Sequence, residues 1–234
     1  MTDHEKTLLA TWIKQGAKYD THWAYKPFGD TTPPILSVDL LGSVKNEIDY
    51  FILKRLETDQ LQPAQPASLA TYIRRVSFDL TGLPPSLNDL DRFLANKTDN
   101  DIHAQIVDHY LALPAYGERL ASEWLDVARF SDTYGYQADG YRDMSPWRDW
   151  VINAFNNNMS YAQFMTEQLA GDMLPHATHD QILATAFNRN HKQTEEGGSI
   201  DEAFRVSYVA DRTETFGTAF LGLTLGCAKC QSQV

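Results

Sequence analysis

The feature that most constrains the fold is a series of short apolar runs at helical spacing, several of which follow a residue that caps helices. Leu87, Leu90, Phe93 and Leu94, for example, fall on one face of a helix. A Ser or Thr hydroxyl before such a run can accept a hydrogen bond from a free backbone N–H group of the first turn. The predicted caps are Ser68, Ser86, Ser160 and Thr178. No stretch of useful length alternates polar and apolar residues, so the sequence predicts an all-α, multi-helix globular domain with long connecting loops.

Other segments of the second half show the same helical spacing. Ser145 and Pro146 are predicted to be the N-cap and the first residue of one helix. The last helix is predicted over about 201–221, with Phe204 and Phe216 buried. The remaining predicted helices cover 101–113 and 114–130.

The N-terminal part contains two amphipathic segments separated by a proline-containing connection. Residues 3–17 and 46–59 have apolar residues at helical spacing, and one side of the second segment is predicted to carry Ile48, Phe51, Ile52 and Leu56. Three prolines between the two segments are typical of a linker or an extended arm. We therefore predict two short helices joined by such an arm.

The charge balance restricts the class of partner. The chain carries 20 Lys and Arg against 31 Asp and Glu, a net charge of -11. Binding to nucleic-acid phosphates requires clustered cations, and so does docking on anionic lipids. No apolar run approaches the roughly 20 residues that span a bilayer. We therefore expect no nucleic-acid partner and no membrane insertion.

The end of the chain carries a CxxC motif, Cys227 and Cys230, which is followed by Gln231. Two thiols at this spacing can bind zinc, form a redox disulfide or attach haem. A redox motif is expected near a βαβ unit, zinc needs two further ligands, and haem attachment uses a His directly after the second Cys. A pair of thiols without a cofactor is the simplest alternative, and the spacing alone leaves these readings open.

A polar stretch before and within the last predicted helix concentrates carboxylates and arginines. Glu195 and Glu196 stand next to each other at the entry of this helix, and neighbouring carboxylates raise each other's pKa, which suits acid–base chemistry or a cation site. Arg205 and Arg212 are predicted to share one helical face, with Asp211 elsewhere around the helix. The alternative is that these residues form surface ion pairs and favour the helix dipole.

A second polar region surrounds residues 131–143, a loop rich in Tyr and Gly that also contains Arg142. Asp126, Arg129 and Asp132 precede or begin it at a spacing of three, and this spacing predicts one shared face at a helix end. Aromatic and polar loops of this kind bind sugars or partner chains, and they also serve as packed connections.

Several ordered strings resemble the planctomycete cytochrome C-associated domain of unknown function, over residues 22–230. They are NEIDYFILKRLETDQLQPA, RRVSFDLTGLPPS, YGERLASEWLDVARFSDTYGY, WRDWVINAFNNNMSYAQFMTEQLAGDMLP and TEEGG…FR…DRTETFGTAFLGLTLGCAKC. The resemblance implies an extracytoplasmic, multidomain protein of which this chain is a fragment. It also implies three parts: the tail helix of a cytochrome c-like module at 1–20, an arm at 21–45 and the cytochrome-associated domain at 46–234.

The same resemblance implies a haem-linked redox or electron-transfer role, with haem c attached through Cys227 and Cys230. Gln231 and Gln233 stand where the family motif has histidines, so the haem site is expected to be degenerate. The expected partners are the flanking domains of the same polypeptide, a redox partner or a polysaccharide. The alternative function is a glycan-binding or polysaccharide-processing module, and whether the chain is an enzyme stays open. This alternative uses Asp126, Asp132, Glu195, Glu196, Arg205, Asp211 and Arg212.

Overall fold

The structure is a computed structural model that describes residues 1–29 and 31–229. Over these residues it contains α-helices, short 3-10 helices and a single isolated β-bridge between Thr133 and Tyr141, with no strand or sheet. The predicted all-α class is therefore confirmed. The α-helices are α1 Asp3–Lys14, α2 Val38–Leu41, α3 Glu47–Thr58, α4 Leu69–Thr81, α5 Leu87–Ala95, α6 Ile102–Leu111, α7 Pro114–Val127, α8 Ser145–Asn156, α9 Tyr161–Ala170, α10 His179–Ala184 and α11 Asp201–Leu221.

The predicted caps of α4, α5, α9 and α10 are confirmed. Each hydroxyl accepts a hydrogen bond from the backbone N–H group three residues further on, and Thr178 forms a reciprocal capping box with Gln181. The predicted cap of α8 is wrong. Met144 is the N-cap and forms no side-chain capping hydrogen bond. Ser145 is the first helical residue, and its hydroxyl donates to Asp143 Oδ1 at 2.6 Å.

The chain divides into two compact units, Met1–Pro66 and Ala67–Val234. The core of the first unit consists of Leu36, Leu40 and Leu53, and two of these lie in the segment that we predicted to be an extended arm. Helix α2 forms there. The predicted module boundaries at 20 and 45 stay a prediction, because compactness does not identify evolutionary modules.

The apolar side predicted for α3 packs only in part. Leu56 packs against the core, but Ile48, Phe51 and Ile52 are exposed, and the buried residue is Leu53, with Tyr50 partly packed beside it. Apolar residues surround more than half of this helix, so the spacing alone does not define which side packs. The contact with Leu36 and Leu40 decides the buried side.

The second unit has two core clusters, one of which packs α4, α5 and α6 around Ile106. The other is an aromatic cluster between α7, α8, α9 and the segment that follows α10. Trp147 is 1% exposed, and its indole N–H donates to the carbonyl oxygen of Ala184 at 3.1 Å. Phe164 stacks on Trp150 with ring centroids 5.5 Å apart. Trp124 contacts Phe164 edge-on at 5.0 Å. Aromatic packing therefore fixes the helices that carry the loops described below.

Helix α11 has the predicted bounds, but Phe216 is 37% exposed rather than buried. The buried positions on this turn are Thr215 and Gly217. Leu225 returns against Gly217, where an added methyl group would lie 2.5 Å from its Cδ1 atom. The buried side of α11 therefore does not include Phe216, and the predicted burial of this residue is wrong.

Helices α7 and α8 approach each other closely at Gly117. A Cβ atom added to Gly117 would lie 2.5 Å from the carbonyl oxygen of Ile152 and 2.5 Å from the side chain of Asn156. The Gly117 N–H group donates to Asn156 Oδ1 at 2.8 Å, and Asn156 Nδ2 donates to the carbonyl oxygen of Pro114 at 3.2 Å. The absence of a side chain at Gly117 therefore permits this contact.

We expect Gly117→Ala to lower the free energy of unfolding of the second unit by about 1 to 3 kcal/mol, because the added methyl group must separate two packed helices. Urea unfolding followed by circular dichroism measures the loss. Gly197→Ala is the matched control, since its Cβ atom would meet open space. Equal unfolding free energies for the two variants would contradict this account of the helix contact.

Candidate functional site

The loop over 131–143 connects α7 to α8 as a narrow hairpin. The isolated bridge joins Thr133 to Tyr141 near its base. At the tip the backbone N–H group of Gly135 donates to Asp139 Oδ1 at 2.7 Å. Hydrogen bonds from the Thr133 hydroxyl and then from Gly135 hold the pKa of Asp139 below its usual range. Internal hydrogen bonds therefore fix the shape of this loop.

Arg142 joins the loop to the segment that precedes α11. Its Nη1 atom donates to the carbonyl oxygens of Arg189 and His191, each at 3.0 Å, and its Nη2 atom donates to the carbonyl oxygen of Asn190 at 3.0 Å. Burial lowers the pKa of Arg142, and the positive charge of Arg189 lowers it further. An arginine remains protonated in proteins, so a positive charge stays in this position.

Two predicted site residues attach the segment before α11 to the loop. Glu196 Oε1 accepts a hydrogen bond from the backbone N–H group of Gln137 at 2.7 Å. The carboxylate of Glu195 lies against Gly140, where a side chain would collide with it. The two adjacent carboxylates thus bind different parts of the loop.

Two further predicted site residues, Asp132 and Asp211, hold neighbouring segments of the chain in place. Asp132 Oδ1 accepts a hydrogen bond from the backbone N–H group of Met144 at 3.1 Å, at the start of α8. Asp211 forms an ion pair with Arg129, whose Nη2 atom also donates to the Asp211 carbonyl oxygen at 2.8 Å. This pair ties the end of α7 to α11.

The predicted shared face of Asp126, Arg129 and Asp132 is wrong. Helix α7 ends at Val127, and Arg129 adopts a left-handed backbone conformation with φ +59°. This conformation turns the Arg129 side chain toward α11, while Asp126 stays exposed without a side-chain hydrogen bond or ion pair to the described residues.

Arg205 is also separate from this region. Its guanidinium forms a two-pronged ion pair with Glu202, with both nitrogen–oxygen distances 2.7 Å, on the exposed side of α11. Arg212 lies with Asp211 and the buried His191 around a small cavity of about 10 Å³. The structure therefore brings five predicted residues to one region and leaves Asp126 and Arg205 outside it. The five are Asp132, Glu195, Glu196, Asp211 and Arg212.

An open cleft of about 420 Å³ lies beside these contacts, and we call it the arginine cleft. Tyr134, Arg142, Asp143, Arg189 and Gln193 contribute its polar lining. Arg189 is exposed and forms no ion pair with the described residues. Asp143 accepts hydrogen bonds from Ser145, which lower its pKa. The cleft therefore combines two cations with one carboxylate that is already hydrogen-bonded.

The sequence alone indicated no role for Arg142 in its loop, and Arg189 is not among the predicted site residues. Arg142 lies within the polar loop over 131–143, and Arg189 directly precedes the polar stretch before α11. A usable signal exists for Arg189, which has no carboxylate three or four residues away, whereas Arg142 has Asp139 three residues before it.

Cys227 lies on a short 3-10 helix, Gly226–Lys229, and is exposed. Cys230, Gln231 and Gln233 lie outside the described residues. A c-type haem requires an axial ligand and an apolar enclosure. An exposed thiol in a motif with Gln231 in place of His does not fit this group, so we derive no electron-transfer step from it. Haem attachment through Cys227 and Cys230 stays a prediction.

A family model described as PSCyt2, Protein of unknown function (DUF1549), matches residues 47–233. The chain belongs to this family. No curated protein and no solved structure matches the chain. Within residues 1–29 and 31–229, no helix is long and apolar enough to cross a membrane, and no three His, Cys, Asp or Glu residues are grouped so that they could hold a metal ion.

The buried His191 predicts a pH dependence of stability. Burial, followed by the charge of Arg212, lowers its pKa below the ordinary value of 6.5. The folded state therefore binds fewer protons than the unfolded state as the pH falls below about 6.5, and stability is lost there by at most about 1.4 kcal/mol per pH unit. We expect His191→Phe to reduce this loss, because the ring contact with Tyr208 is kept and the titration is removed.

Urea unfolding of the wild type and of His191→Phe at pH 7.5, 6.5, 5.5 and 5.0 measures this effect. Other titrating groups contribute equally to both proteins, so the difference between the two curves isolates His191. Parallel curves over this range would show that His191 titrates alike in the folded and unfolded states. His103→Phe is the control, because His103 is exposed, belongs to the same unit and also contacts a tyrosine ring, that of Tyr72.

Proposed function

We propose that this domain binds an acidic glycan in the arginine cleft and acts as a binding module. The observation that supports the proposal is the presence of two guanidinium groups, Arg142 and Arg189, beside one cleft with no ion-pair partner among the described residues. Burial and then the charge of Arg189 lower the pKa of Arg142, so the two guanidinium groups repel each other, and the charge of Asp132 offsets part of this repulsion. A carboxylate or sulfate group between them would offset this repulsion.

The two arginines have different roles in this proposal. Arg142 is fixed by backbone carbonyl oxygens and supplies a stationary positive charge. Arg189 is exposed, and its free guanidinium can form a two-pronged hydrogen bond to a carboxylate or sulfate. The ring of Tyr134, which lies 5.6 Å from the Arg142 guanidinium carbon, supplies an apolar surface for a sugar ring.

Binding fits the cleft better than hydrolysis. Glycosidases use two carboxyl groups about 5 to 9.5 Å apart on either side of the scissile bond. Among the described residues that line the arginine cleft, Asp143 is the one carboxylate. The extracytoplasmic location and the neighbouring modules belong to the same proposal and rest on the family resemblance. A haem-linked redox role is tested separately by Soret absorbance after production with haem-maturation machinery.

Isothermal titration calorimetry with polygalacturonate, dextran sulfate and uncharged dextran tests the proposal. We expect one or both polyanions to bind and dextran not to bind. Arg189→Gln removes a charged hydrogen-bond donor worth about 1.5 to 3 kcal/mol, so we expect affinity to fall about 10- to 100-fold. Comparison of the two polyanions identifies whether the carboxylated or the sulfated glycan is preferred.

Arg75→Gln is the matched control, because Arg75 is also exposed, belongs to the same unit and does not line the cleft. It removes the same charge and is expected to leave affinity unchanged at 0.15 M salt, where charges more than about 8 Å apart are screened. If neither polyanion binds, or if both variants weaken binding equally, the arginine cleft is not the site.

A further inference from the structure

A second groove lies between α8, α9 and α10, and none of the site residues discussed so far lines it. Its volume is about 390 Å³, within the range of about 300 to 1,000 Å³ that is usual for small-molecule sites. Its lining contains Glu167, Asp149 and Asp180, together with the amides of Asn153 and Gln163, and no Lys or Arg. We call it the acidic groove.

Glu167 is the most informative residue of the acidic groove. Glu167 is buried, with 4% of its surface exposed, although the groove that it lines is open. Its Oε1 atom accepts hydrogen bonds from Gln163 Nε2 at 3.0 Å and from Gln181 Nε2 at 3.2 Å. Its Oε2 atom accepts no hydrogen bond, and no cation forms an ion pair with Glu167, among the described residues.

A carboxylate in this position is costly unless a partner compensates its charge. Burial of an ionised group is unfavourable when the group lacks both a counter-charge and a full set of hydrogen bonds. The two glutamines hold one oxygen in place, and Gln181 is itself fixed by the capping box with Thr178. The arrangement therefore holds an oriented carboxylate whose second oxygen is free for a ligand.

The other polar groups of the acidic groove are mainly free acceptors. Gln163 uses its amide nitrogen on Glu167, and Asn157 uses its amide nitrogen on the carbonyl oxygen of Asn153 at 2.9 Å. Their side-chain oxygens accept no hydrogen bond from the described residues. The carboxylate of Asp180 adds negative charge, whereas that of Asp149 is already paired with the guanidinium of Arg148 at 2.8 Å. A ligand that offers several donors and a positive charge matches this lining, whereas an anion does not.

We infer that the acidic groove binds an organic ammonium group, with the ammonium on Glu167 Oε2. Its three N–H donors match the free acceptors, and the charge match strengthens each hydrogen bond. Two sources carry this chemistry, the free amine of an amino sugar and the side chain of a lysine. The inference does not depend on the arginine cleft, which selects the opposite charge.

Calorimetry with a chitosan hexamer and with the tripeptide Lys-Gly-Lys tests this inference, and their fully N-acetylated forms are the uncharged counterparts. We expect at least one amine to bind and its acetylated form to bind at least tenfold more weakly. The amine that binds identifies the source. Binding of an amine and its acetylated form with equal affinity, or no binding of either amine, overturns the inference.

Glu167→Gln is expected to weaken amine binding at least tenfold and to leave polyanion binding by the arginine cleft unchanged. Glu118→Gln is the matched control, because Glu118 is exposed, belongs to the same unit and is not in the groove. Asn153→Lys is a second variant at an exposed position. It places a competing ammonium in the groove and is expected to abolish binding without unfolding the domain. Wild-type affinity in a folded Glu167→Gln or Asn153→Lys protein overturns the inference.

Discussion

The architecture of the candidate site depends on the guanidinium of Arg142. It connects the 131–143 loop to three successive carbonyl oxygens of residues 189–191, and these segments have no sheet or helix in common. A buried charge persists only where hydrogen bonds replace its hydration. The carbonyl oxygens supply these bonds without neutralising the charge, so the contact that shapes the arginine cleft also makes it attractive to anions.

The remaining contacts of the region support this geometry. Glu196 binds the backbone of the loop, and the ion pair between Arg129 and Asp211 holds the end of α7 on α11. Two of these residues, Glu196 and Asp211, are among the site residues predicted from the sequence. In the structure their charges bind neighbouring segments, and the free charge belongs to Arg189. Charged residues at a ligand site thus divide into those that build it and those that face the ligand.

Local features of the fold were predictable because they depend on residues close in sequence. The capping interactions of Ser68 and Thr178 involve atoms three residues apart, so spacing suffices to find them. Burial was less predictable, as Phe216 and the apolar side of α3 show, because it depends on packing partners distant in sequence. Glu167 was missed for the same reason: its burial requires α10, and one of its two hydrogen-bond donors comes from 14 residues further on.

The most direct test of the central claim is a crystal structure of the domain soaked with an oligogalacturonate. The account predicts a ligand carboxylate within hydrogen-bond distance of the Arg189 guanidinium, with a sugar ring near Tyr134 and the Arg142 contacts to residues 189–191 unchanged. A bound ligand elsewhere on the surface, with the arginine cleft empty at saturating concentration, would contradict the account.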